Sequence, residues 1–300
     1  MFNSSFAREM TDYLELRTAV LSASSASNDR RVLLLLDQYL VLSGFQGKEL
    51  TEDILSAWSK TLSGKSKTVK EKLAVVRGFG KYLNTLGHQS FLPTLPKVKS
   101  DYIPYIFSDE EIVSIFHYAD NLTPQNPRSC SSFFQLKIPM ALRILYSCGT
   151  RLQETMSLQR KDVDFKNRTL FLKKTKFSKE RVIPVHESLI AVMERYCLTL
   201  GIMHEPEAFL FPGRKEGSHY TTRQMDSWFS EILKLADIDQ RERDCHERGA
   251  CLHCFRHLFV LKSMQQLEAA GHSVDMNDLL LPTYLGHECL LDTDKYMRSS

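Results

Sequence analysis

At 300 residues, with 43% hydrophobic and 25% charged side chains, the chain has ordinary globular composition and the length for two domains with their own cores. No run of eighteen apolar residues occurs, and the opening MFNSSFAREMTDYLELR lacks a basic region followed by an apolar one; the expectation is a soluble, cytoplasmic protein with no membrane contact. The net charge of +3 is too small to point to a polyanionic partner, and seven cysteines, at 130, 148, 197, 245, 251, 254 and 289, are too sparse for a disulfide scaffold and fit a reducing compartment.

The first hundred residues read as helices. Apolar repeats at helical spacing run through 10–21 and 32–43, a shorter element lies near 51–61, and a long one spans 69–83, where Leu73, Val76, Gly80 and Leu83 share a face. Thr68 with Glu71 has the pattern of a capping box opening that helix. Between positions 60 and 99 nine basic residues face a single acid, Glu71, a local excess of +8. Lys70, Lys72, Arg77 and Lys81 lie mainly off the apolar face. Together with Lys65 and Lys67 they form either a solvated helix surface or an electrostatic footprint for a nucleic-acid backbone.

Residues 88–107, HQSFLPTLPKVKSDYIPYIF, hold three prolines and no sustained period, and read as an extended linker between a helical domain, 1–87, and a second domain, 108–300. Ser108 with Glu111 opens the next helix by a capping box. Ile138, Leu142, Leu145 and Tyr146 make a buried stripe ending at Gly149, with Pro139 at its start or a kink. Thr169 to Lys174 alternates as a strand and Arg181 to Val185 supplies its partner, the polar connection between them carrying Lys176 and Lys179. Helices follow at 187–200, 221–236, 252–270 and 275–285. The expected class is mainly α with a small β-hairpin or sheet in the C-terminal domain, without internal repeats or a Walker-type phosphate loop.

Five segments of that domain stand out: Cys148-Gly149-Thr150-Arg151-Leu152-Gln153-Glu154; the lysine-rich Lys174 to Pro184; His253-Cys254-Phe255-Arg256-His257; Leu285-Gly286-His287; and Tyr296, nine residues beyond the last histidine. Cleaving a phosphodiester without a metal needs a nucleophile, a proton for the leaving oxygen and positive charge around a phosphorane-like transition state, and these side chains supply all three. In this order the segments resemble the tyrosine recombinases, the phage-integrase family of DNA strand-exchange enzymes, over roughly residues 108–298 and more loosely before them.

The resemblance implies an N-terminal core-binding domain and a catalytic domain that clamp duplex DNA, as a dimer on one site and a tetramer in the synaptic complex. The implied activity is site-specific recombination, serving integration, excision or transposition of a mobile element. Tyr296 would attack the scissile phosphate to give a 3′-phosphotyrosine, which conserves the bond energy, so no ATP, metal or other cofactor is expected. Arg151 and Arg256 would clamp the nonbridging oxygens, because a guanidinium offers a planar fork and stays charged. Lys176 matches the general acid to the leaving 5′-oxygen, with Lys179 as its rival. His253, one turn before Arg256, would accept the Tyr296 proton, which a phenol with pKa near 10 holds at neutral pH. His287 matches a hydrogen-bond donor to the phosphate, and His257 reads as a structural neighbour. Glu154, three residues after Arg151, either orients that guanidinium or forms a surface ion pair. The DNA-backbone contacts would come from Lys65, Lys67, Lys70, Lys72, Arg77 and Lys179.

Two departures accompany the resemblance. The sequence ends four residues after Tyr296, where the family usually continues into a helix that docks on a neighbouring protomer, and the N-terminal part is too short for a separate arm-binding domain. Cys245-His246 and Cys251-x-x-Cys254 crowd the histidine–arginine segment as a zinc site could, but the spacing is irregular and thiols are the expectation. The competing functions are a type IB topoisomerase and a non-catalytic DNA-binding regulator on the same fold.

Overall fold

The structure, a computed structural model, describes residues 1–98, 104–123, 133–173, 180–238, 249–271, 281 and 283–285, and the chain divides into two compact units, Met1–Ser100 and Asp101–Ser300. The first unit consists of α1 Ala7–Val20, α2 Ala23–Leu42, α3 Glu52–Thr61 and α4 Ser66–Thr85. Ser22 and Thr51 cap α2 and α3 by accepting from the amides of Ser25 and Ile54, satisfying donors that a helix start leaves open. The apolar stripes converge on Phe6, Met10, Leu33, Leu36, Trp58, Val76 and Phe79. Leu73, Val76, Gly80 and Leu83 of α4 all face this core.

Two expectations change here. Helix α4 starts at Ser66, so Thr68 and Glu71 lie within its first two turns and do not cap it; a threonine is compatible with either position, and the pattern alone could not decide. The first part of the supposed linker is packed structure. Phe91 donates its amide to Leu50 O (2.7 Å), Ser90 Oγ accepts from Leu50 N (3.1 Å), and Asn84 Oδ1 accepts from Ser90 N (2.7 Å). Helix α4 admits this strap because Gly80 has no side chain: a Cβ there would stand 3.0 Å from Leu92 Cδ2. At the other end Pro104 and Phe107 are buried in the second unit.

The second unit opens with α5 Asp109–Asp120, capped reciprocally by Ser108 and Glu111 as expected. Helix α6 Phe134–Cys148 keeps Pro139 inside it, in the second turn, and ends at Gly149 in the left-handed region (φ 56°). A short α7 Leu152–Met156 and a 3-10 turn, Arg160–Asp162, lead into β1 Val163–Asp164, β2 Thr169–Leu172 and β3 Arg181–Pro184. The strands form one antiparallel sheet in the order β1-β2-β3, with Leu170 opposite Ile183. The expected hairpin therefore gains a third strand, too short at two residues to show alternation. Helices α8 Glu187–Thr199, α9 Thr222–Leu235 and α10 His253–Ala269 complete the described elements.

The core of this unit gathers Phe107, Ile138, Leu142, Phe229 and Phe255, with α10 packed on α6. Most of the helix expected over 275–285 lies outside the described residues, although Leu281 and Leu285 pack on Val260 in a smaller cluster. Among the described residues no helix is long and apolar enough to cross a membrane. The fold is mainly α with a small antiparallel sheet.

Candidate active site

The site is built on the turn after α6. A Cβ at Gly149 would lie 2.4 Å from Phe259 Cδ1 of α10, so glycine serves both the positive φ and the close approach of the two helices. Thr150 is buried, and its Oγ1 shares a 2.6 Å hydrogen bond with Thr155 Oγ1. The chain then places Arg151 at the head of α7, where its amide donates to Glu154 Oε2 (3.0 Å) and its Nη1 to Glu154 Oε1 (2.8 Å).

Glu154 is more than Arg151's partner. Its side chain is 4% exposed, and it also receives both Nη atoms of Arg181, at 3.1 and 2.9 Å, in a bidentate pair. Burial alone would push its carboxyl pKa up; the hydrogen bonds and charge of Arg181, joined by Arg151, outweigh that and hold it below the ordinary glutamate value. A surface ion pair is thereby ruled out for Glu154. Arg181 is a site residue that the sequence reading did not single out, although its signal was present: Arg181 and Ile183 share the inward face of β3, and a charge there needs a buried partner.

Arg256 lies in the first turn of α10, 1% exposed. Its Nη1 donates to Gly149 O (2.7 Å) and its Nη2 to Leu285 O (2.9 Å), so two backbone carbonyls help to fix the guanidinium. Arg151, Arg181 and Arg256 against Glu154 give these four side chains a formal charge of +2. His253, one turn earlier, is exposed, and its ring meets buried His257 edge to face at 4.9 Å. Tyr284 donates to Cys148 O (3.3 Å) and stacks on Phe259, closing the same turn from the far side; burial pushes its phenol pKa well up, out of titration range.

The structure thus brings Arg151, Glu154 and Arg256 to one turn and adds Arg181. Lys176, Lys179, His287 and Tyr296 lie outside the described residues, as do Cys245 and His246. Among the basic residues of the first unit, Lys65 and Lys67 are exposed and Lys70 and Lys72 sit in the opening turns of α4, Lys72 Nζ donating to Ser63 O (3.0 Å). Arg77 is turned to a structural task that the sequence reading did not anticipate. Its Nη1 donates to Leu92 O (3.2 Å) and Pro93 O (2.8 Å), fastening the strap to α4.

The sequence profile described as "Phage integrase family" matches residues 106–300. The chain belongs to this family. The phage-integrase relatives include two Sinorhizobium fredii proteins named "Putative integrase/recombinase", y4rE and y4rB. The first is 27% identical over 75% of this chain and 71% of its own length, the second 25% identical over 99% and 94%. "Tyrosine recombinase XerC 2" of Ralstonia nicotianae is 32% identical over 76% of this chain and 60% of its own length. Among solved structures, a lambda integrase dimer bound to a COC′ core site shares the fold with a TM-score of 0.71 at 14% identity, covering 97% of this chain and 76% of that one. The Tn1549 transposon integrase in complex with transposon right end DNA gives 0.64 at 16%, over 97% and 96%. The chain is accordingly a tyrosine recombinase, of the family that cleaves DNA and transfers its strands, and nothing among these relatives favours the topoisomerase alternative.

Proposed function

We propose that this recombinase cleaves and rejoins duplex DNA at specific sites through a 3′-phosphotyrosine on Tyr296, in the integration, excision or transposition of a mobile element. The observation that carries the reading is Arg256, whose one guanidinium holds carbonyls from the segments of Arg151 and of His287. Three of the five segments that chemistry on a phosphodiester would need thus meet at one charge. Arg151 and Arg256 would clamp the nonbridging oxygens, since positive charge fixed before the reaction costs no reorganisation when the phosphorane forms. Lys176 would protonate the leaving 5′-oxygen, His253 would take the Tyr296 proton and His287 would donate to the phosphate.

Duplex DNA is the partner this reading requires, bound by a dimer on one site and a tetramer at synapsis, in the cytoplasm where that DNA lies. The N-terminal unit supports it. Lys65, Lys67 and Lys70 crowd the start of α4, where no acid stands in the first turn and the helix dipole is already positive, an arrangement that a bound phosphate backbone would relieve.

The test is a suicide substrate nicked near the cleavage position, which traps the covalent intermediate. Wild-type protein should form a protein–DNA adduct; Tyr296→Phe should bind the same DNA and form none. An adduct with Tyr296→Phe places the nucleophile elsewhere. With a 5′-bridging phosphorothiolate, whose sulfur leaves without a proton, Lys176→Ala should recover cleavage and Arg151→Ala should not. Rescue of Lys179→Ala instead would move the general acid three residues on.

A further inference from the structure

The chemistry proposed above makes no use of Cys251 and Cys254, yet the fold sets these two side by side at the entrance to α10. Their sulfurs are 3.6 Å apart, neither is in a disulfide, and Cys251 N donates to Cys254 Sγ at 3.4 Å. Cys254 is 1% exposed while Cys251 is half-buried, so one thiol meets solvent and the other waits behind it. Cys251 precedes the helix and Cys254 is its second residue, a spacing that points both Cβ atoms to one face of the first turn. A bond needs sulfurs at roughly 2.05 Å, an approach that rotation of the Cys251 side chain, outside the helix, can supply.

We propose that Cys251 and Cys254 form a reversible dithiol–disulfide site, closed by low-molecular-weight disulfides, that governs the presentation of His253. The step is ordinary exchange. The Cys251 thiolate attacks one sulfur of an RSSR molecule and expels RS⁻; the Cys254 thiolate then attacks Cys251 Sγ and expels the second RS⁻. The protein loses two protons and two electrons, and RSSR takes up both pairs to become two RSH. The ring that closes contains His253 itself, whose imidazole packs on His257 at 4.9 Å. Pulling the two ends of that short loop together shifts the imidazole from the place where it would take the nucleophile's proton. This consequence for cleavage rests on the recombinase reading; the bond does not.

The test equilibrates full-length protein, freed of metal by chelator, in glutathione buffers of stepped redox ratio. Intact mass should fall by about two mass units and peptide mapping should place the bond between Cys251 and Cys254. Cys251→Ser, and Cys254→Ala should the first misfold, should form no such bond. Cleavage of the suicide substrate should fall tenfold or more on oxidation, return with reductant, and be insensitive in Cys251→Ser. A bond mapped to another cysteine, zinc retained stoichiometrically by the pair, or oxidised protein that cleaves at the reduced rate would each overturn the proposal. If the reduced protein cleaves nothing, the recombinase reading fails instead. The His253 ring resonances then decide the switch alone: they shift on oxidation of the wild type, or the switch is refuted.

Discussion

Arg151, Glu154 and Arg181 in the second unit and Lys65, Lys67, Lys70 and Lys72 in the first are both clusters of charge, built to opposite rules. The first is buried and paired, with a carboxylate 4% exposed between two guanidiniums. The second stands at a helix start where no acid lies in the first turn, with Lys65 and Lys67 exposed and Lys70 and Lys72 half-buried. Burying a charge costs several kcal/mol unless its partners are fixed, so the buried cluster is rigid because it has no alternative arrangement. Exposed side chains such as that of Lys67 keep their hydration and could adapt to varied phosphate spacing. Transition-state geometry calls for the first kind of charge; tracking a backbone calls for the second.

The sharpest way to break that contrast is Arg256→Lys. An ammonium keeps the charge but cannot span Gly149 O and Leu285 O with two forked donors. Single-turnover cleavage should fall on the order of a hundredfold or more while DNA binding stays near normal. Cleavage within a few fold of wild type would show that charge alone suffices there.

Next in size is Arg181→Met, which fills similar volume and leaves Glu154 with Arg151 alone. Stability in urea should drop by about 1–3 kcal/mol, the penalty for a buried acceptor losing its donors. Cleavage should fall about tenfold through a mispositioned Arg151, and Glu154→Gln in the same background should restore part of the stability by removing the unpaired charge.

Acid provides a third test. Glu154's pKa is lowered from the ordinary glutamate value in the folded protein, so its stabilising contribution is complete above its unfolded-state value and is lost as pH falls through the lower folded-state value. Urea midpoints followed from pH 7 to 3 should show this loss in wild type, and it should be absent in Glu154→Gln. Smallest in effect on the fold, neutralising Lys65, Lys67, Lys70 and Lys72 together should change stability by less than about 0.5 kcal/mol. It should flatten the dependence of log affinity on log salt by up to about 0.9 for each phosphate that the variant no longer neutralises. An unchanged salt slope would return the lysines to a solvated face.

How legible each part was follows from the distance over which it is encoded. The stripe of α4, the capping box at Ser108 and the Arg151–Glu154 pair use spacings of three or four residues, and a single sequence displays them. Arg256 meeting Gly149 spans 107 positions; only the family resemblance linked those segments. Arg181 stands one alternation from Ile183 on β3, but the partner that gives it meaning, Glu154, lies 27 positions away, beyond the reach of local spacing. The packed start of the linker hid for another reason. Prolines and missing period describe an irregular backbone, and irregular backbone can be fastened by side chains such as Arg77 as firmly as a helix.

The convergence on Arg256 has a consequence for how a cell survives making an enzyme that cuts DNA. Arg256 draws carbonyl acceptors from positions 107 before and 29 after it in the chain. During synthesis the Gly149 carbonyl emerges first, the guanidinium follows, and the Leu285 carbonyl comes last of the three. A nascent or half-folded chain therefore holds arginines without the anchors that aim them. If Arg256 clamps the phosphate as proposed, cutting power would arrive only with the completed fold.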